Sequence, residues 1–407
     1  MKQKITFFLL LVLTLFSCKS NKYFVEVENI KEVNEYKQNP LLYVLPQTVI
    51  TFDVEITKSV YKKGPFAEYA EEFLGIKDVA KEDATVWSIS DIDIQSYAKV
   101  DTNQIYVINS NFENISNQLN LSKEGFLLSI NKPVGTYSSD IEFGDNMIID
   151  NDIDINLSYG EVMVKNNLKE VYDTTYNETA ADTSFIDIPI IKTQLVKKTE
   201  SEQAQELAEQ ILTLRDDKNA ILVGEGDSQY LPDGISLQTM LNGLAVLEEE
   251  YLSMFIGKTF VIKKTYHFEY TPDTKRKYKQ DIIFRFSEDE GLFSADNIKG
   301  KPVYLQILSD NYTSLIDNFV ESQNLIKRIE KVNEKNLGLV YRFPEKTKLK
   351  LIYKDKELFT KDLLIAQYGS NLRLPANLFL TNEYSIEFYP KYGTIKSIEK
   401  IIDTNNK

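Results

Sequence analysis

Apolar and polar residues alternate along several stretches of this chain, with the period of two that is typical of half-buried strands. The clearest case lies near the start, where Ile50, Phe52, Val54 and Ile56 are separated by polar residues. Directly afterwards, over residues 66–74, the apolar positions change to helical spacing. The pattern therefore predicts a strand that leads into a short helix.

The predicted short helix has recognisable signals at both ends. Pro65 stands at its first position, where the missing amide proton costs no hydrogen bond, and Gly75 stands just beyond its last turn. From Trp87 to about Ile191 the chain alternates again, in runs separated by turn-forming Asn, Asp, Gly and Ser clusters. The acidic, Thr-rich piece at 171–184 is predicted as an exposed loop.

Two amphipathic helices are predicted within residues 200–256. Thr199 and Glu202 have the spacing of a capping box, in which hydroxyl and carboxylate satisfy each other's free backbone donors, and apolar residues then recur at helical spacing to Leu212. A second helical pattern runs from Leu237 to Phe255. Helices of similar length with a short connection pack antiparallel, so we expect an exposed helical hairpin.

The remaining chain returns to strand patterns. Residues 258–273 and 278–292 are predicted as one β-hairpin around the turn TPDTKR, and a polar helix is predicted at 314–332. The fold class is α+β, with mostly antiparallel β-rich bodies, an inserted antiparallel helical hairpin and a small C-terminal β domain. The predicted segments are a signal peptide (1–17), a lipidated tether (18–40), a β-rich domain with one short helix (41–199), the helical hairpin (200–256), a β-hairpin with a connecting helix (257–335) and the small β domain (336–407).

A short motif occurs twice, as YVLPQ from Tyr43 and as YRFPE from Tyr341. Two interpretations are open. The two bodies begin a sheet in the same way, with proline among the first residues of an edge strand, where its missing amide proton is tolerated. Alternatively, the chain contains an internal duplication.

Composition limits the classes of function. With 407 residues, of which 43% are hydrophobic, the chain is long enough for two or three domains with a real core. Its net charge of −14 disfavours nucleic acid as a partner, because phosphate binding needs a basic face. Its single cysteine excludes a disulfide framework and zinc sites built on several thiols.

The single cysteine, Cys18, directly follows a leader-like segment. Residues 1–17 carry Lys2 and Lys4 and then an apolar run too short to cross a bilayer as a helix, as in a secretory signal peptide. The sequence LFSC, which ends at Cys18, resembles the bacterial lipobox, whose cysteine is acylated. The residues directly after Cys18 contain no aspartate, which points to the outer membrane, and no acidic cluster of the kind associated with export to the cell surface. The resemblance therefore implies a lipid anchor at Cys18 on the periplasmic face of the outer membrane.

Candidate catalytic and metal-binding residues are few. His267 is the one histidine and lies in a strand pattern, where a structural role is the more common, and no nucleophile motif accompanies it. Asp150, Asp152, Asp154 and Asn156 alternate as solvent-facing strand residues do, although their oxygens also suit calcium. We predict no catalytic residue, no metal site and no cofactor.

Four stretches carry a family resemblance: residues 41–79, 224–258, 284–292 and 338–345. In this order they resemble a domain-of-unknown-function family of Bacteroidetes outer-membrane lipoproteins, over residues 41–401. Such a family has no established activity. The resemblance therefore implies location and architecture, and it assigns no catalytic residue.

The expected function is that of a non-enzymatic binding or scaffolding lipoprotein of the envelope. It would be held at the membrane by its acylated amino terminus and would bind an envelope protein partner through the helical hairpin. Two alternatives are open. One is a hydrolase of glycans or peptides with two carboxylates about 5–9 Å apart in space, and the other is a glycan-binding lipoprotein for nutrient uptake.

Overall fold

A computed structural model gives the fold. It describes residues 25–33, 40–110, 118–132, 168–181, 184–223, 234–276, 279–309, 312–329, 338–375, 378 and 383–401. The strands are β1 (Val25–Asn29), β2 (Leu41–Lys62), β3 (Ala84–Ser110), β4 (Leu119–Leu121), β5 (Leu127–Ile130), β6 (Leu168–Ala181), β7 (Ser184–Lys197), β8 (Lys258–Tyr270), β9 (Asp281–Ser287), β10 (Gly291–Ser294), β11 (Lys301–Ser309), β12 (Leu339–Tyr353), β13 (Lys356–Leu374), β14 (Tyr384–Tyr389) and β15 (Thr394–Lys400). The helices are α1 (Ala70–Leu74), α2 (Glu200–Val223), α3 (Gly234–Ile256) and α4 (Tyr312–Ile329).

The first sheet has the strand order β1-β3-β2-β8, and its neighbouring strands are antiparallel. The alternation at its start is confirmed, since Ile50, Phe52, Val54 and Ile56 are fully buried. The short helix is confirmed as well: after a single 3-10 turn, α1 ends at Gly75, which has the left-handed backbone angle of +68°. The α+β class predicted from the sequence is therefore confirmed.

Strand β1 corrects the predicted tether, because it lies within residues 18–40. Val25 and Val27 are fully buried, and the strand pairs with the end of β3. In the sequence VEVEN, two valines alternate with glutamates, which is the same period-two pattern as in the longer strands. So short a strand is concealed in the sequence, because only two valines carry its pattern.

The second sheet has the order β10-β9-β11-β12-β13 and packs its apolar face against that of the first. The predicted hairpin of β8 and β9 is wrong, since β8 pairs with β2 and β9 pairs with β10 and β11. Their apolar faces meet across the core instead, where the rings of Phe268 and Phe284 stack at 5.3 Å. The turn residues reverse the chain but do not specify which sheet receives the next strand.

The third sheet, in the order β15-β14-β5-β4, closes a second hydrophobic cluster that contains Tyr43, Leu119, Leu339 and Ile386. Its pairing of β5 with β14 joins the predicted segments 41–199 and 336–407, and the pairing of β2 with β8 joins 41–199 and 257–335. The predicted segments therefore share sheets. Distant parts of the chain build one continuous framework around two cores.

Strands β6 and β7 form a two-stranded ribbon that pairs with no other described strand. The predicted loop at 171–184 is therefore wrong, although its predicted exposure agrees with the exposed side chains of 171–176. Valine, tyrosine and threonine favour extended backbone, and this preference prevails over the acidic, loop-like composition of the segment.

The two copies of the repeated motif lie against each other. The Tyr43 hydroxyl donates to the carbonyl of Val340 at 3.1 Å and accepts from the amide of Val340 at 2.8 Å. Pro46 and Pro344 both lie at register shifts, where a bulge removes the need for a proline amide proton. The bulging partner residues are 101–104 in β3 and 366–369 in β13. Both copies thus begin a long strand in the same way, with proline beside a bulge.

Candidate interaction site

The base of the helical hairpin is fixed to the body by a hydrophobic cluster around α1. The rings of Phe66 and Phe255 lie 5.8 Å apart, and the amide of Phe66 donates to the carbonyl of Met254 at 2.9 Å. Gly64 permits this approach, since a Cβ atom there would lie 2.2 Å from the Met254 carbonyl oxygen. The buried residues of this cluster are Phe66, Ala70, Ala204, Leu207, Ala208, Ile211, Met254 and Phe255.

The predicted capping box at the start of α2 is confirmed. The amide of Thr199 donates to the Glu202 carboxylate at 2.9 Å, and the amide of Glu202 donates to the Thr199 hydroxyl at 3.3 Å. Glu202 also forms an ion pair with Lys169 of β6. This lysine, followed by the Thr199 amide, lowers the pKa of Glu202 to about 2. The pair connects the beginning of β6 with the first turn of α2.

The outer half of the hairpin leaves large apolar side chains exposed. The buried residues of α2 end at Ile211 and those of α3 begin at Ser253. At about 1.5 Å per residue, α2 extends about 18 Å beyond its last buried residue. The exposed large apolar residues of this outer half are Leu212, Leu222, Val223, Ile235, Met240 and Val246.

An ion-pair triad joins the two helices within this outer half. Glu248 of α3 accepts from Arg215 at 2.7 Å and from Lys218 at 2.8 Å, both on α2. Arg215 and then Lys218 lower the pKa of the Glu248 carboxyl group below its usual range. Polar contacts therefore help to keep the helices paired where few side chains are buried, and large apolar side chains of this half remain exposed.

His267 lies on the solvent face of the first sheet, as a strand residue. Its Nδ1 atom lies 2.6 Å from a carboxylate oxygen of Asp53, its cross-strand neighbour on β2. On the other side of Asp53, Asp93 of β3 is the cross-strand neighbour. The contact of His267 is thus an ordinary cross-strand pair, which agrees with the structural role expected from the sequence.

The pKa shifts of the carboxyl groups are relevant to the hydrolase alternative, which requires two catalytic carboxyl groups. Those described carboxyl groups whose pKa is shifted are all shifted downward, in each case mainly by a hydrogen bond from a lysine or arginine side chain. They belong to Glu55, Asp83, Glu202, Glu248, Glu288, Glu357 and Glu387. A general acid for glycoside cleavage needs a raised pKa instead.

Several predicted residues lie outside the part of the chain that the structure describes. These are Cys18 with the leader, and Asp150, Asp152, Asp154 and Asn156. Within the described part, no group of three or more His, Cys, Asp or Glu side chains is placed to hold a metal ion. No described helix combines the length and the apolar character needed to cross a membrane.

Of the exposed β6–β7 ribbon, sequence reasoning predicted the alternation of β7, up to about Ile191, but it missed β6. A signal is present, because Tyr172 and Tyr176 lie four residues apart, on one face of a strand, as do Ile191 and Leu195. Acidic and threonine residues around them concealed it.

One family model matches most of the chain. The model described as domain of unknown function (DUF4831) matches residues 39–157 and 155–396. Comparison with curated proteins and with solved structures found no match.

Proposed function

Since the chain belongs to the family of the domain of unknown function (DUF4831), whose description states no activity, we propose a function from the exposed surface of the molecule. This protein is a non-enzymatic binding or scaffolding module of the cell envelope. Its partner is another envelope protein, which docks on the outer half of α2 and α3. The net charge of −14 disfavours a nucleic-acid partner.

The observation that carries this proposal is the exposed apolar surface at the outer half of the hairpin. Ile235 and Val246 of α3 are exposed, as are Leu212 and Leu222 of α2. Contiguous apolar surface on a soluble domain marks sites of protein interaction, and helix faces with spaced apolar anchors fit grooves of a partner. The base of the hairpin is buried, so the framework presents this surface on a firm support.

The proposed attachment is an acylated Cys18 in the outer membrane, on its periplasmic face. It is supported by the basic and apolar leader and by the position of the chain's single cysteine. More than one acyl chain is needed for stable anchoring. Mass spectrometry of the mature amino terminus tests it: we expect a diacylglycerol adduct at Cys18, and a free thiol together with release by osmotic shock would overturn the anchor.

Cross-linking in intact cells tests the partner. The full chain and its Ile235→Asp, Val246→Asp double variant are each captured after cross-linking, and the bound proteins are identified by mass spectrometry. We expect the unmodified chain to retain one envelope protein in stoichiometric amount and the double variant to lose it. The matched control is Gln238→Asp, Asn242→Asp, which adds the same charge to polar positions of α3 and should retain the partner.

Two outcomes would overturn this proposal. Either the unmodified chain captures no protein, or both double variants capture the same protein equally. Far-ultraviolet circular dichroism of the purified variants verifies that the helices are intact. Both substituted positions are exposed, so the charge itself does not disturb a core.

A further inference from the structure

The β6–β7 ribbon is an isolated pair of strands. Its strands have 14 residues each, and they pair only with each other among the described strands. A two-stranded ribbon with nothing packed on it is marginally stable in water. We therefore expect another protein surface to pack on one of its faces in the functional protein.

One face of the ribbon carries its most exposed large apolar side chains, whereas Val171, Ile190 and Val196 on the other face are exposed by 39–41%. On the first face, the exposed fractions are 54% for Leu168, 63% for Tyr172, 66% for Tyr176, 64% for Ile191 and 65% for Leu195. Since side chains two residues apart, and those directly opposite on the neighbouring strand, lie on the same face, the five residues form one continuous strip. Over the residues 168–176 the strip extends about 26 Å.

Large and small side chains alternate from one strand to the other along this strip. Opposite Tyr172 lies Thr193, and opposite Ile191 lies Thr174. The same holds at the neighbouring positions, where the pairs are Leu168 with Lys197, Glu170 with Leu195, and Tyr176 with Pro189. Bulky apolar residues thus occupy β6 and β7 in turn, and each has a small or a polar, flexible residue beside it.

From this pattern we infer that the apolar strip is the interface with a second copy of this chain. A two-fold axis parallel to the strands, between two ribbons packed face to face, exchanges β6 with β7. Each bulky side chain then lies over the small or polar position of the same cross-strand pair in the other copy, so Tyr172 packs over Thr193 and Ile191 over Thr174. The strip is therefore complementary to itself, as an interface with two-fold symmetry requires.

The exposed area is sufficient for such a dimer. With roughly 200 Å² for a large side chain, the exposed fractions correspond to on the order of 600 Å² on each copy. A standard interface buries about 800 Å² per partner. The strip supplies most of this area, and the neighbouring backbone and polar side chains of the ribbon supply the rest.

The dimer goes beyond the proposed partner binding and does not depend on it. A two-fold axis parallel to the strands leaves both ribbon bases at the same end. The two bodies then lie at the same end of the paired ribbons, since the chain leaves β7 at Lys197 and enters α2 at Glu200.

Sedimentation velocity of the full chain in detergent tests the dimer. We expect a dimer for the unmodified chain and a monomer for Tyr172→Lys and for Ile191→Lys, each with unchanged circular dichroism. The matched control is Gln194→Lys, on the opposite face of the ribbon, which should remain a dimer. A monomeric unmodified chain overturns the inference, and so does a dimer that both strip variants retain.

Thiol cross-linking gives a second measurement that does not require a disruptive substitution. Two sheets packed face to face lie about 10 Å apart, within reach of a short bis-maleimide. In the full chain, Thr193→Cys should cross-link two copies efficiently, whereas Gln194→Cys and the unmodified chain should not. Equal cross-linking of the two cysteine variants would overturn the face-to-face arrangement. Cross-linking of the unmodified chain would instead report a free Cys18 thiol, and so would bear on the proposed anchor alone.

Discussion

The guanidinium group of Arg342 lies 3.1 Å from the carboxylate of Asp101, and both side chains are almost completely buried. Arg342 lies in β12, whereas Asp101 lies in the residues that bulge from β3, so the ion pair joins the two large sheets. The same guanidinium group donates to the carbonyl of Pro46 at 2.5 Å and to the side-chain oxygen of Asn371 at 3.2 Å. Each of its three nitrogen atoms thus donates one hydrogen bond.

Replacing Asp101 by Ala should destabilise the protein by about 3–5 kcal/mol, because it leaves a buried guanidinium group without its counter-charge. Burial already lowers the pKa of Arg342, which shows that its charge is costly at this position. Urea unfolding measures the loss. The double variant Asp101→Ala, Arg342→Met should recover much of the stability, and a double variant no more stable than the single one would contradict this account.

Gly64→Ala should loosen the base of the helical hairpin. The added Cβ atom would lie 2.2 Å from the Met254 carbonyl oxygen, so that the backbone must shift, at a cost of about 1–3 kcal/mol. Gly243→Ala is the matched control in α3, where nothing lies within 4 Å, and it should stabilise the helix by about 0.5–1 kcal/mol. Denaturant unfolding of both variants should show opposite signs.

Acid should separate the outer halves of α2 and α3. The pKa of Glu248 is lowered by Arg215 and Lys218, so its contribution is complete above the usual value of 4.5 and is lost as the pH falls through the lower value of the folded protein. Hydrogen exchange in residues 212–223 and 234–252, corrected for its intrinsic pH dependence, should reveal this opening. Glu248→Gln should show faster exchange at neutral pH and no further acid-dependent step.

Thr199→Ala should destabilise the first turn of α2 by about 1 kcal/mol, because it removes the hydroxyl that accepts the amide proton of Glu202. Thr213→Ala is the matched control within the same helix, where the hydroxyl only donates to the Glu209 carbonyl. Alanine is the better helix former there, so this variant should be neutral or slightly stabilising. Thermal unfolding with equal losses in both variants would contradict the capping role.

Local patterns in the sequence predicted many of the helices and strands. The alternation around Phe52, the capping box of Thr199 and Glu202, and the glycine that ends α1 are each determined by residues a few positions apart. Such patterns specify which backbone conformation buries apolar side chains or satisfies free donors. For this reason most strands, the short helix and the helical hairpin were predictable, whereas β1 and β6 were missed.

Only the tertiary structure decided which strands share a sheet. β8 has the same amphipathic pattern whether it pairs with β9 or with β2, because a turn sequence reverses the chain without choosing a partner strand. The pair of Arg342 with Asp101 and the contact of Tyr43 with Val340 likewise join residues that are far apart in the chain.

By itself, the sequence determined the conformation of most segments and an architecture of antiparallel strands with an inserted helical hairpin. The tertiary structure decided which apolar residues are covered and which remain exposed: it buries Val25 of the supposed tether and leaves Tyr172 and Ile235 exposed. The physical reason is that hydrophobic burial depends on what packs opposite a side chain, and that neighbour is brought there by distant parts of the chain.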